Sequence, residues 1–280
     1  MMPLSPSPPR GPEPRHAFAG GRLLFATFWL AGLAGLASMP LGGLPASAWL
    51  AALIVLGLLV SIAAGVLWQR SGLLARPLIG FADAGDRLAL TFDDGPDPEV
   101  TPRVLEALHA AGQRATFFAR GDRVAQHPEL AQRVVDEGHE LGNHSFGHAW
   151  HLGLWLSARV ADDLERTSRI IVEATGQRPR FFRPPAAVLT PRIAAGAGRA
   201  GLQLCGHSLR SGDGSPLVSS ARILQRLRGA LRSGAILVLH DARVQGQPPA
   251  SLALLPGLLE EMRRRGLRSV TLGELLTAGR

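Results

Sequence analysis

The 280-residue chain has no lysine, no tyrosine and a single cysteine, Cys205. One cysteine excludes an internal disulfide framework and a cysteine-rich metal site. Aromatic residues make up only 5% of the chain. No basic patch is interleaved with them and no recognition motif is present, which argues against a nucleic-acid partner. All 30 basic residues are arginine, against 22 acidic ones, for a formal net charge of +8. A GC-rich coding sequence explains most of that bias through its Arg, Ala, Gly and Pro codons. Attraction to phosphates or anionic lipid is the functional alternative.

Charge is absent from two long apolar runs, residues 23–40 and 46–68. Each is near the length a helix needs to cross ~30 Å of hydrocarbon. Leu41-Gly42-Gly43-Leu44-Pro45 between them is a breaker cluster suited to a tight turn. The expected organisation is a disordered Pro-, Ser- and Arg-rich tail at 1–19, a two-helix transmembrane hairpin within 20–70, a linker at 71–85 and a catalytic domain at 86–280. A cleaved signal peptide, or one span with the first run lying in the interface, is the competing reading. Arg10, Arg15 and Arg22 precede the hairpin and Arg70 and Arg76 follow it, while the turn is uncharged. Positive residues stay inside. The expectation is therefore a multi-pass protein of the bacterial inner membrane, in contact with the lipid bilayer, with a cytoplasmic catalytic domain. A single span would reverse the side.

From residue 87 the pattern becomes short strands alternating with amphipathic helices. Strands are expected at 87–92, 115–119, 139–143, 180–183, 202–207, 235–239 and 267–270. Helices are expected at 102–111, 128–137, 157–174, 191–199, 219–232 and 251–265, the first with Thr101 as N-cap and Pro102 at its first position. This alternation predicts an α/β fold with a mainly parallel sheet. The polar residues of interest fall just after strand ends, where α/β barrels place their chemistry.

The strongest local signal is Thr91-Phe92-Asp93-Asp94-Gly95-Pro96. Two adjacent carboxylates ending an apolar strand are costly to bury unpaired. Turn chemistry accounts for one of them. A metal on one and a base role for the other account for both. In His144-Ser145-Phe146-Gly147-His148, a spacing of four puts two imidazoles on one side of a helical turn. Alone, this is a weak signal, since His139 and His151 are close by. With Asp94 it makes a two-nitrogen, one-oxygen set that suits catalytic zinc.

The chain resembles the polysaccharide deacetylase family, also called the NodB-homology or carbohydrate esterase family 4 domain, over roughly residues 86–277. Five motifs occur in the family order, and the resemblance implies a distorted (β/α) barrel. It implies Asp93 as general base and Asp94, His144 and His148 as metal ligands. Arg183, in Arg183-Pro184-Pro185, would hold the base. The backbone N–H of Ala186 would support the oxyanion. His240, in Ile236-Leu237-Val238-Leu239-His240-Asp241, would be the general acid. Asp213, in Ser208-Leu209-Arg210-Ser211-Gly212-Asp213, would orient it. The cofactor is a divalent metal, zinc by ligand type, with manganese, cobalt or nickel suited to the same geometry.

Three departures bear on substrate more than on chemistry. Ala186-Ala187-Val188 replaces the family's aromatic and glycine after the third motif. Gly214 stands where an aromatic residue usually lines the acyl pocket, and His207 where a tryptophan precedes it. The implied reaction is hydrolytic removal of an N-acetyl or similar group from an amino sugar. The partner is a glycan or glycolipid. With a cytoplasmic domain, the expected substrate is a hexosamine on polyprenyl phosphate. An external peptidoglycan or exopolysaccharide deacetylase, a silent membrane-tethered glycan-binding protein and an iron oxygenase triad are the alternatives. Trp150 and Trp155 are candidates for sugar stacking or a membrane interface, and His109, His127 and His139 are expected to be ordinary packing or surface residues. The arginine groups at 222–232 and 263–268 are expected to be solvated helix faces.

Overall fold

The computed structural model describes residues 13–16, 57, 74–213, 218–243 and 246–277. The two expected membrane spans lie outside the described residues, apart from residue 57. Among the described residues no helix is long and apolar enough to cross a membrane.

The centre of the fold is β3 (Arg87–Asp93), whose residues 88–93 are all buried. A strand covered on both faces reads as a continuous apolar run, and Leu88-Ala89-Leu90-Thr91-Phe92 is one. β3 pairs in parallel with β4 (Ala115–Ala119) and β9 (Ile236–His240). β5 (Glu140–Asn143), β6 (Phe181–Phe182) and β7 (Gln203–Leu204) extend the sheet beyond β4, and β8 (Leu209–Arg210) extends it beyond β9. The order is β7-β6-β5-β4-β3-β9-β8, with β10 (Arg268–Ser269) beside the start of β3. This is the expected α/β architecture, a curled parallel sheet forming part of a barrel.

Helices cover the outside. α1 (Thr101–Ala110) buries Val104, Leu105 and Leu108. α2 (Gly121–Gln126) and α3 (Pro128–Asp136) follow β4. α4 (Ser157–Thr175) buries Val160, Leu164, Ser168 and Ile171 on one stripe and ends at Gly176, whose φ of 68° gives a left-handed C-cap. α5 (Pro191–Arg199), α6 (Ser220–Ala230), α7 (Ala250–Arg264) and α8 (Leu272–Thr277) complete the layer. The main core lies between sheet and helices and includes Leu90, Phe92, Val104, Phe117, Leu237 and Leu258.

A second cluster joins Leu78, Phe81, Ala89, Phe118, Phe181, Cys205 and Ile236. Leu78 and Phe81 belong to β2 (Leu78–Ala82), a strand in the segment expected to be a linker. β2 spans the gap between the two sheet edges. Gly206 N–H donates to the Leu78 carbonyl at 2.7 Å, and Phe81 N–H donates to Gly234 O at 2.8 Å. A Cβ at Gly234 would collide with the Phe81 carbonyl. Outside the strand, β1 (Glu13–His16) pairs antiparallel with β2. Residues 13–16, in the segment expected to be a tail, therefore form a strand. Five residues with glycine in the middle carry too little alternation to be read as a strand. What defines β2 is the pair of open sheet edges it bridges.

Thr101 does not cap α1. Its hydroxyl accepts from Asp97 N–H at 2.8 Å and donates to Asp241 Oδ2 at 2.7 Å. Asp97 Oδ1 takes the N–H groups of Glu99 and Val100 instead. The sequence pattern does not predict α2, α8 or β8, each being a helix of six residues or a residue pair.

Candidate active site

Asp93 ends β3 and lies in register opposite His240, which ends β9. His144 follows β5, and Arg183 follows β6. All eight expected residues therefore stand at or just beyond the C-terminal rim of the sheet. Asp93, Asp94, His144, His148, Arg183, Ala186 and His240 line one cavity of about 460 Å³.

Arg183 is fully buried. Its Nη1 donates to Asp93 Oδ1 and to Thr91 Oγ1, each at 2.7 Å, and its Nη2 donates to Gly206 O at 2.9 Å. The guanidinium lies 4.1 Å over the Phe118 ring. Asp93 is therefore fixed in one orientation, with its remaining oxygen left for the cavity.

On the adjacent strand β9, His240 is held twice by the buried carboxylate of Asp213. Oδ1 pairs with the ring Nδ1 at 2.8 Å, and Oδ2 accepts the backbone N–H at 2.8 Å. The Ser211 hydroxyl also donates to Oδ1. Burial works against a charged imidazole at His240. The hydrogen bond and charge of Asp213, helped by Asp93 and Asp94, outweigh it and raise His240 to about 9.

The same cavity is lined by Asp94, His144 and His148, whose ligand atoms all fall within 4.8 Å of one another. Asp94 Oδ1 is 3.6 Å from His144 Nε2 and 3.4 Å from His148 Nε2. That oxygen is buried and takes no hydrogen bond among the described residues. A carboxylate oxygen facing two imidazole nitrogens without bonding either is costly by itself and fits a shared cation. His144 Nδ1 lies 2.7 Å from the Arg183 carbonyl, so it donates there and turns Nε2 toward Asp94. Burial opposes ionisation of Asp94, but His144, His148, His240 and Arg120 outweigh it and lower its pKa. Burial, reinforced by His144 and Arg120 and opposed by Asp94, lowers that of His148. Both shifts favour the ligating forms, and the set fits a divalent metal.

The histidine pair is not on a helical turn. Residues 144–148 form an irregular loop with Ser145 at φ 65° and His148 at φ 53°. Asn143 sets this loop: its Oδ1 accepts Ser145 N–H at 2.9 Å, and its Nδ2 donates to Leu164 O at 2.8 Å. Of six non-glycine residues with positive φ among those described, five are Asp94, Ser145, His148, Ala186 and Ala187. Backbone strain, of order 1–3 kcal/mol per residue, is thus concentrated at this site. Ala186 is exposed to the cavity, and its turn is closed by the N–H groups of Ala187 and Val188, so its own N–H is outside those bonds.

Thr91, Asn143, Ser211 and Asp241 also support the site, although the motifs do not mark a role for them. Asp241 Oδ1 accepts Gly95 N–H at 3.0 Å and ties the Asp93-Asp94 turn to β9. Each is a polar residue fully buried beside a motif, and that adjacency was the available signal. His207, Arg210, Gly212 and Val238 also line the cavity. His109 is exposed and His127 half-buried. His139 is buried, accepts Ala115 N–H at 3.2 Å, and is pushed down to about 4, first by burial. Trp150 is 77% exposed, and Trp155 lies under Arg159. Arg263, Arg265 and Arg268 pair with Glu260, Glu261 and Asp86.

Residues 82–205 match the family model described as polysaccharide deacetylase. A peptidoglycan-N-acetylglucosamine deacetylase of Bacillus cereus is 35% identical over 195 residues, covering 68% of this chain and 87% of that protein. A chitooligosaccharide deacetylase of a Bradyrhizobium species is 41% identical over 162 residues, covering 57% and 71%. Among solved structures, a carbohydrate esterase family 4 pseudoenzyme from Bacillus anthracis superposes with a TM-score of 0.64 at 26% identity, covering 71% and 68%. The chain belongs to the polysaccharide deacetylase family, whose enzymes are carbohydrate-deacetylating hydrolases.

Proposed function

We propose that this chain hydrolyses the N-acetyl group of an amino sugar in a glycan of the peptidoglycan or chitooligosaccharide kind. One observation carries the reading. Asp93 held by Arg183 and His240 held by Asp213 stand in register on adjacent strands and line one cavity together with Asp94, His144 and His148.

Asp93 takes the proton of the attacking water. Arg183 keeps Asp93 from rotating away, and Thr91 and Gly206 keep Arg183 in place. The Ala186 N–H donates to the oxygen that becomes negative as the carbonyl is attacked. His240 gives its proton to the sugar nitrogen as the C–N bond breaks, and Asp213 holds the imidazole in the donating orientation. A divalent cation on Asp94, His144 and His148, zinc by ligand type, supplies Lewis acidity toward water and carbonyl. Acetate and the free amine leave.

The substrates named for the relatives favour a polymeric glycan. A polyprenyl-phosphate-linked hexosamine at the cytoplasmic face is favoured instead by the arginines flanking residues 23–68. A reporter fused after Arg280 separates these readings, since an external C-terminus removes the cytoplasmic one.

The test of the reaction is acetate release by the full chain from N-acetylglucosamine oligomers and from peptidoglycan, with and without chelator. Chelator and Asp93→Asn should each abolish release, while glycan binding by the Asn variant persists. Glycan binding without release by the unaltered, metal-loaded chain would establish a silent binding protein of the pseudoenzyme kind.

A further inference from the structure

Arg210 ends β8 in register with Val238, two residues before His240, and its side chain is exposed where it lines the catalytic cavity. Its neighbours Leu209 and Ser211 are buried, as strand alternation requires, so Arg210 is the residue of this stretch turned to the opening. Arg226 of α6 fixes the backbone that carries it, donating to the Ser211 carbonyl and, at 3.4 Å, to the Arg210 carbonyl.

The cavity's own acids are already engaged. Asp93 pairs with Arg183, and Asp94 faces the two ligand histidines. Asp213, behind the wall, is held by His240 and Ser211. Arg210 forms no ion pair with a carboxylate among the described residues, whereas Arg183, the cavity's other guanidinium, is fully committed. The same cavity lining includes the small residues Gly212, Ala186 and Ala187. A planar, permanently charged fork next to open volume recognises carboxylate or phosphate oxygens in pairs.

We propose that Arg210 is a specificity residue that binds an anionic substituent carried by the substrate close to the N-acetyl group that is removed. The preferred substrate class is then an acidic amino sugar, bearing either a carboxylate on an ether-linked side chain or a phosphate ester, and not a neutral hexosamine polymer. This rests on the deacetylase reading above and narrows its substrate.

The experiment is a comparison of kcat/KM on three N-acetylhexosamine substrates, one neutral, one bearing a carboxylate and one bearing a phosphate monoester. The purified, metal-loaded full chain, Arg210→Ala and Arg210→Lys are each measured. The unaltered chain should prefer an anionic substrate, and the anionic arm with the larger preference identifies the source of the charge. Arg210→Ala should lower the anionic-to-neutral ratio about tenfold, mainly through KM, and Arg210→Lys should recover part of it. The preference should also weaken as salt rises. Turnover with an unaltered ratio in Arg210→Ala, or an equal loss on all three substrates, overturns the proposal and leaves the deacetylase reading standing. Absence of turnover on every substrate by the unaltered chain overturns both.

Discussion

Arg183 and Asp93 come from strands separated by two others in the sheet, yet they meet through a 2.7 Å hydrogen bond inside the barrel. The curl of the sheet makes this possible. The guanidinium reaches across the interior from β6 to β3 and holds Gly206, beyond β7, on the way. It therefore joins the site to the closure of the barrel.

Loss of Arg183 should damage both. Arg183→Ala leaves Asp93, Thr91 and Gly206 short of a partner in a buried place, which costs on the order of 3–5 kcal/mol. Arg183→Lys keeps the charge but cannot donate to Thr91, Asp93 and Gly206 together. It should fold with a lower Tm and lose roughly 100-fold or more in kcat, with KM changing less. Thermal unfolding and steady-state kinetics on the same preparation check this. A Lys variant with unaltered kcat would show that the base does not depend on this contact.

The Asp213–His240 pair makes a pH prediction. Burial opposes a charged His240, but the hydrogen bond and charge of Asp213 outweigh it and raise the imidazole to about 9, above its ordinary 6.5. Its raised value stabilises the fold fully below pH 6.5, and that contribution is lost as pH rises through about 9. Asp213→Asn removes the main causes of the rise and leaves burial opposed only by the charges of Asp93 and Asp94, so the imidazole should titrate well below 9. The alkaline limb of kcat/KM should move to lower pH with it, because a general acid must keep its proton. NMR titration of the ring and a pH–rate profile test the two halves. A His240 that still titrates near 9 in Asp213→Asn would refute the assignment.

Metal removal should be visible in stability as well as in rate. A ligand that binds only the folded state adds about 2.7 kcal/mol at a hundred times its Kd. Zinc should therefore raise the Tm of the chelated protein. Asp94→Asn and His148→Ala should show a much smaller rise and reduced metal content by elemental analysis. An equal rise in all three proteins would place the metal elsewhere.

Much of this site was legible because catalytic residues end strands, and strand ends are easy to read. Asp93 follows five buried residues of β3 and His240 follows the apolar run of β9. What failed to show was set by distant backbone. The strand at Leu78–Ala82 exists because two sheet edges need bridging, and no local alternation marks it. The His144–His148 spacing suggested a helical turn, whereas Asn143, Leu164 and Ser168 hold it as a loop. Thr101 has a capping residue's composition and position, but Asp241 takes its hydroxyl. In each case a polar group's partner is far along the chain, and sequence spacing carries no record of it.

The alanines after Arg183-Pro184-Pro185 give a final test. Ala187 has φ 61° and Ala186 has φ 52°, a region where a Cβ crowds the following carbonyl. Glycine reaches this region freely, so Ala187→Gly should relieve strain of about 1 kcal/mol, less the added freedom of the unfolded chain. The Ala187 N–H that closes the turn on the Pro184 carbonyl is a backbone group and survives the exchange. Tm should rise by a few degrees or hold, and acetate release should persist, since the Ala186 N–H stays where it was. A fall in Tm would mean that the Ala187 methyl packs well enough to outweigh its backbone strain. A large loss of rate with an unaltered Tm would mean that this strain aims the Ala186 N–H at the reacting oxygen.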